Sequence, residues 1–321
     1  NSFFTRSYFD INIFRLESGN KVNNMKGMFE LATSFNQDIS SWDVSSVTNM
    51  SNMFFNATNF NQDIGDWVVS NVENMSYMFR NTPFNQDIGN WVVSNVKNMS
   101  YMFRNTPFYQ DIGDWVVSNV KNMSYMFRNT PFNQDISTWN VSNVENISYM
   151  FGYTPFNQDI GNWVVSNVRD MEGMFYEATV FNQDIGRWDF KNVLNMSWVF
   201  GYTSFNQYIG SWNVSSVTDM RGMFYHAASF NQDISDWNVS SVTDMQFMFL
   251  NAINFNKDIF TLELGNKVKN MKGMFQYARS FNQDISSWIV SSVKDMSYMF
   301  GLTPFNQNIG NWIVSSVTDM S

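Results

Sequence analysis

Ten aspartates share one register of this chain, at Asp38, Asp63, Asp87, Asp111, Asp135, Asp159, Asp184, Asp233, Asp258 and Asp284. Carboxylates brought to the spacing of stacked coils, roughly 5 Å, repel one another, so each needs a compensating partner. Two chemistries supply one. A file of calcium ions would be held by hard oxygen ligands. Alternatively, each Asp accepts hydrogen bonds from the backbone amides of its own tight turn, as Asx-turns do. Tyr208 and Asn308 occupy the same register without changing the length of the unit, which disfavours calcium. Asp38, Asp63, Asp87, Asp111, Asp135, Asp159 and Asp184 are therefore expected to form a structural ladder, with no metal and no other cofactor.

A second set of residues has the make-up of a contact surface. Arg80, Arg104 and Arg128 recur at one position of three successive units, with Lys97 and Lys121 in the same stretch and Tyr77, Tyr101 and Tyr125 nearby. Arg and Tyr are enriched at binding hot spots, and guanidinium groups suit carboxylate or anionic-glycan partners. Copying of one unit would also leave identical outward residues. Catalysis fares worse. The only histidine is His226 and there is no cysteine, which leaves no Ser-His-Asp relay repeated along the array and no thiolate chemistry. Acid–base work needs unlike groups converging at one place, whereas these carboxylates repeat on every unit. The expectation is no enzyme and no catalytic residues.

The elements behind these columns come from one repeated sentence. Phe starts a new copy at Phe35, Phe60, Phe84, Phe108, Phe132, Phe156, Phe181, Phe205, Phe230, Phe255, Phe281 and Phe305, at spacings of 24 to 26 residues. Ile39, Trp42 and Val44, then Val47 and Met50, place apolar groups at spacings of three and two, which suits neither a long helix nor a plain strand. The Trp-x-Val step reads as a short strand, and Met50, Met53 and Phe54 as one helical or 3-10 turn. The predicted fold class is an α/β-type, leucine-rich-repeat-like solenoid. Each coil would carry a short parallel β-strand and a short helical or 3-10 turn, because one unit cannot bury its apolar side alone. Residues 1–20 read as a partial or capping repeat and 21–321 as a single solenoid of about twelve repeats, without a visible cap at the C-terminal end. Trp42, Trp67, Trp91, Trp115, Trp139 and Trp163 fall in the inward phase and are expected in the core. Asn49, Asn74 and Asn98 stand in Asn-Met-Ser triplets, possible glycosylation acceptors only if their side chains face outward.

One unit departs. The copy at Phe255 lacks the Trp and is longer, and the chain's first residues resemble it. Lys21 onward (KVNNMKGMFELATSFNQDIS) nearly repeats at Lys267 (KVKNMKGMFQYARSFNQDIS), which indicates a higher-order duplication. Composition narrows the partners. The net charge is -9 and charged residues make up 15%, an unfavourable balance for a nucleic-acid binder. No apolar run approaches a membrane span.

The string Phe35-Asn36-Gln37-Asp38-Ile39, with Trp42-Asp43-Val44-Ser45 and Val47-Thr48-Asn49-Met50, resembles the BspA-like class of leucine-rich repeats, and the likeness runs from Asn20 to Ser321. It implies a secreted or surface-anchored protein, in several cases linked to adhesion, and it brings no catalytic residues. Together these readings predict an extracellular or cell-surface scaffold for adhesion or for recognition of a protein or glycan. The alternative is a structural protein that associates with itself through its ends.

Overall fold

The computed structural model describes residues 15–321; what the sequence suggests for residues 1–14 lies outside them. The chain forms two compact units, Asn1–Asp159 and Ile160–Ser321.

In the first unit each coil is a succession of turns. In the coil that starts at Phe60, Trp67 N–H turns back onto Ile64 O at 3.1 Å and Val72 N–H onto Val69 O at 2.9 Å. Next come Met78 N–H onto Met75 O (3.2 Å), Arg80 onto Tyr77 O (3.2 Å) and Thr82 onto Phe79 O (3.1 Å). The residues in between donate to the following coil. Met75, Tyr77, Phe79 and Asn81 reach Asn98, Ser100, Met102 and Arg104 carbonyls at 2.9, 2.9, 3.0 and 3.0 Å. From Met75 to Thr82 the backbone amides thus alternate between their own coil and the next, and with Ser76 donating to Asn74 Oδ1 at 2.9 Å each of these is accounted for. A single parallel bridge joins neighbouring coils, running from Asn24↔Asn49 to Asn122↔Asn146.

The second unit repeats the scheme. Met220, Gly222, Phe224 and His226 donate forward to Asp244, Gln246, Met248 and Leu250 at 3.0, 2.9, 2.9 and 2.7 Å. Its bridges run from Asp170↔Asn195 to Asp295↔Asp319. The longer coil keeps its packing without a Trp of its own. Phe260 stacks on Trp288 at 5.7 Å and 6°, and Trp288 Nε1 donates to Phe260 O at 2.9 Å. Asn266 Nδ2 ties that coil to Glu263 O and Ile289 O, both at 2.7 Å. Asn20 does the same in the first unit with Glu17 O at 3.0 Å and Asp43 O at 2.8 Å.

This overturns the predicted fold class. Among the described residues there is no helix and no strand longer than one bridging residue, so the chain is not an α/β leucine-rich-repeat solenoid with a strand and a helix per coil. Two physical causes account for it. Tyr77 and Asn81 adopt positive φ, 62° and 60°, and a left-handed residue inside a right-handed turn ends it after one hydrogen bond. Pairing between coils is also too short for a ladder: Lys97 N–H donates back to Glu73 O at 2.8 Å beside Met75 N–H forward to Asn98 O at 2.9 Å, and this give-and-accept pattern stops at the one-residue bridge Asn74↔Asn98. The Met-x-x-Met-Phe pattern is a chain of turns, and Trp-x-Val is the joint between two others.

The core needs no sheet. Phe79 lies on Phe84 at 3.9 Å and 7° and on Phe103 of the next coil at 5.8 Å and 12°, with Trp91 tilted against it at 6.3 Å and 34°. Two phenylalanine columns and a tryptophan column with Met beside them exclude water within each unit, and burial of such rings is the main favourable term.

Candidate functional site

Two positions of every coil are left-handed, four residues apart. Asn52 and Asn56 (φ 58° each), Tyr77 and Asn81, Tyr101 and Asn105 (61°, 59°), and Tyr125 and Asn129 (59°, 58°) follow this rule, as do Tyr149 and Tyr153 (49°, 60°). Glycine takes the first position at Gly27, Gly173, Gly222 and Gly273, as expected where a Cβ is penalised. Tyrosine at that position is therefore held against its conformational preference, at a cost of about 1–2 kcal/mol per residue.

In the first unit those tyrosines form a ladder. Tyr77, Tyr101 and Tyr125 stack at 4.4 Å with planes 7° and 6° apart, and Tyr149 follows at 5.0 Å. Each arginine guanidinium lies beside a pair of successive rings. Arg80 sits 5.5 Å from both Tyr77 and Tyr101, Arg104 lies 5.6 Å from Tyr101 and 5.5 Å from Tyr125, and Arg128 lies 5.8 Å from Tyr125 and 5.4 Å from Tyr149. Phe55 closes one end at 5.2 Å from Arg80 and Tyr153 the other at 4.8 Å from Arg128. Such contacts hold a cation without neutralising it. Nε of each arginine is buried with no hydrogen-bond partner, and none of the three forms an ion pair among the described residues. Burial, then the like charges of Arg128 and Arg80, draws the Arg104 pKa below its ordinary value. Burial, then the neighbouring Tyr125 and Tyr77 phenols, pushes Tyr101 up to about 12.

Three guanidiniums at one per coil repel each other and lack a carboxylate, and bidentate anion binding would relieve both. The tyrosine faces are occupied by one another, so a sugar ring cannot lie flat on them. Beside the ladder Asn81 Nδ2 donates to Asn56 Oδ1 and Asn105 to Asn81, both at 2.6 Å, and Asn129 to Asn105 at 3.1 Å.

The other residues singled out by sequence fall elsewhere. Lys97 pairs with Glu73 at 2.7 Å and Lys121 with Glu145 at 3.5 Å; both pairs are exposed, and no contact among the described residues joins them to the arginines. The aspartates hold turns: Asp38, Asp63, Asp87, Asp111, Asp135 and Asp184 each accept at Oδ1 from the amide two residues on, at 2.9 Å. Asp159 is exposed in the same register. Bonds from the Ser137 amide, then its side chain, hold Asp135 below the usual carboxylate range. Trp42, Trp67, Trp91, Trp115, Trp139 and Trp163 are 3–5% exposed, and Trp67, Trp91, Trp115 and Trp139 donate Nε1 to carbonyls of the preceding coil. Asn49, Asn74 and Asn98 are half-buried at the bridge and accept from Ser51, Ser76 and Ser100 amides, a poor posture for a glycan acceptor.

Sequence reasoning missed Phe55, Tyr153 and the asparagine ladder. The available signal was the alternation of Gly or Asn with bulky residues in two columns, which marks positive φ. In the second unit those columns and the one between them carry aromatics without arginine. Trp198 meets Tyr225 edge-to-face at 5.2 Å and Tyr202 stacks on His226 at 4.6 Å. Burial draws the His226 pKa down, and Asn251 Nδ2 lies 2.9 Å from its Nδ1.

The family model for "Mycoplasma protein of unknown function, DUF285" matches four times, over residues 1–111, 104–204, 184–266 and 265–321. No curated protein and no solved structure matches the chain. No helix among the described residues is long and apolar enough to cross a membrane. The chain is a repeat protein, and it belongs to the DUF285 family of mycoplasma proteins of unknown function.

Proposed function

We propose that the chain is a non-catalytic recognition scaffold at the cell surface, and that the Arg80/Arg104/Arg128 ladder with its tyrosines is the face that takes an acidic protein or glycan. One observation carries this reading. Three half-buried guanidiniums on consecutive coils, each with an unbonded Nε, stand without a carboxylate in a chain of net charge -9. The motif's likeness to BspA-like surface proteins supports the location and the adhesive role. The commitment of the aspartate column to backbone turns supports a scaffold without catalysis or a metal cofactor.

The test is retention of the full chain on immobilised polyaspartate across a salt series, beside Arg80→Gln/Arg104→Gln/Arg128→Gln. Salt-sensitive retention that the triple variant loses at least tenfold is expected. Equal retention of the two proteins would refute the assignment.

A further inference from the structure

We propose that Tyr77, Tyr101, Tyr125 and Tyr149 form an oxidative modification site, at which a one-electron oxidant joins the phenols of neighbouring coils as dityrosine. This chemistry does not depend on anion recognition by the arginines.

Dityrosine forms between ring carbons next to the phenol oxygen, where a tyrosyl radical carries much of its unpaired spin. Tyr77 and Tyr101 stack at 4.4 Å with planes 7° apart, Tyr101 and Tyr125 at 4.4 Å and 6°, and Tyr125 and Tyr149 at 5.0 Å and 22°. The first three leave their coils alike. Each has φ between 59° and 62°, and their amides donate to Ser100, Ser124 and Ser148 carbonyls at 2.9, 2.8 and 2.7 Å. The phenol ends therefore lie together, and the Tyr125 and Tyr77 phenols help to push Tyr101 up. Coupling asks two neighbouring rings to tilt together, with no diffusion step. In the second unit tyrosines meet edge-to-face instead, Tyr176 with Tyr202 at 5.7 Å and 89° and Tyr202 with Tyr225 at 5.3 Å and 72°. Tyr109 is 51% exposed but belongs to another column.

The rings are half-buried, within reach of an oxidant at the surface. Each phenol gives one electron to the oxidant and its hydroxyl proton to solvent. Arg80 and Arg104, 5.5 and 5.6 Å from the Tyr101 ring, disfavour further positive charge there, so the proton leaves with the electron. Two neighbouring radicals pair their electrons in one carbon–carbon bond. The hydrogen on each bonded carbon then passes to its own ring oxygen, which restores both phenols. In sum the oxidant takes two electrons, solvent takes two protons, two C–H bonds are lost and one C–C bond is made. The bond ties adjacent coils of a chain that has no cysteine for a disulfide, and it restricts the unfolded chain in the same way.

The experiment is oxidation of the dilute full chain by photoexcited ruthenium tris(bipyridine), with persulfate as the electron acceptor. The monomer is then isolated, digested with trypsin and mapped by mass spectrometry. Cleavage at Arg80, Lys97, Arg104 and Lys121 places Tyr77, Tyr101, Tyr109 and Tyr125 on four peptides. A crosslink from the Tyr77 peptide to the Tyr101 peptide is expected, about tenfold more abundant in the folded chain than in the chain held in concentrated urea. The Tyr101 and Tyr125 peptides share one sequence, Asn-Met-Ser-Tyr-Met-Phe-Arg, and Tyr101→Phe tells them apart. That variant keeps the stacked ring, and the crosslink from the Tyr77 peptide should fall about tenfold although Tyr125 remains. Tyr109→Phe should leave it unchanged. Should Tyr101→Phe fail to fold, the comparison of the folded and urea-held unaltered chain carries the test. A monomer without ladder crosslinks, or equal yields in the folded and unfolded chain, overturns the site. So does a Tyr77 crosslink that survives Tyr101→Phe, or crosslinking that runs mainly through the Tyr109 peptide.

Discussion

Tyr101 shows how one side chain serves fold and surface together. Its left-handed backbone (φ 61°) is unfavourable, yet stacking on Tyr77 and Tyr125 at 4.4 Å returns about 0.5–1.5 kcal/mol per contact. Its phenol is pushed up to about 12, first by burial and then by those neighbours, so folding favours the protonated form. That contribution is complete below the unfolded phenol's value of about 10 and is lost as pH rises through the folded one. Ultraviolet titration should therefore show a tyrosine step centred at about pH 12, and Tyr101→Phe should diminish that step. Glycine positions separate two costs of the same kind. Gly222 (φ 55°) would place a Cβ 2.3 Å from Trp198 Cε3, whereas Gly19 (φ 79°) faces open space. Urea unfolding should show Gly222→Ala destabilising by about 2–5 kcal/mol, from the backbone term plus overpacking. Gly19→Ala should cost only the backbone part, about 1–2 kcal/mol.

At the scale of the coil, the second unit holds an exchange of volumes. Phe190 stands where other coils place Val, and Val199 where they place Met. Both line one small space with Trp188, Phe200 and Trp212. Phe190 leans on Trp212 at 4.3 Å and 52°, and Trp212 Nε1 is buried without a partner, while Trp237 in the next coil reaches Ile209 O at 3.0 Å. Phe190→Val alone should open a cavity worth about 2–3 kcal/mol, and Val199→Met alone should overpack by about 1–3 kcal/mol. The double variant should return close to the starting stability, a coupling of about 1–3 kcal/mol read from a double-mutant cycle by urea denaturation. This scale also shows what the sequence made legible. The repeat, its period and the Phe, Trp and Met columns follow from the spacing of apolar residues alone. The strand and helical turn did not survive, because hydrophobic periodicity reports which residues face inward and not where the amides donate. Spacings of three and two arise equally from successive turns. The alternation of Gly27, Asn52, Tyr77 and Gly173 in one column held the missing information, since such company marks positive φ. Of the candidate site, Arg80, Arg104 and Arg128 with Tyr77, Tyr101 and Tyr125 were readable as a group. Lys97 and Lys121 were not separable from them, because their carboxylate partners lie a whole unit away in sequence.

Across the whole molecule the two units are unequal. The first carries an arginine–tyrosine ladder, and the same columns of the second carry Trp198, Tyr202, His226 and Phe247 with no arginine. Anion recognition should therefore be confined to the first unit. The most direct measurement is a side-chain NMR titration of the full chain with polyaspartate, following the arginine guanidinium signals. The signals of Arg80, Arg104 and Arg128 should move together, while Arg221, already held by Asp219 at 2.8 Å, should stay in place. If those three are unmoved while other arginines respond, or if none responds at any polymer concentration, the ladder is packing alone and its role in recognition is contradicted.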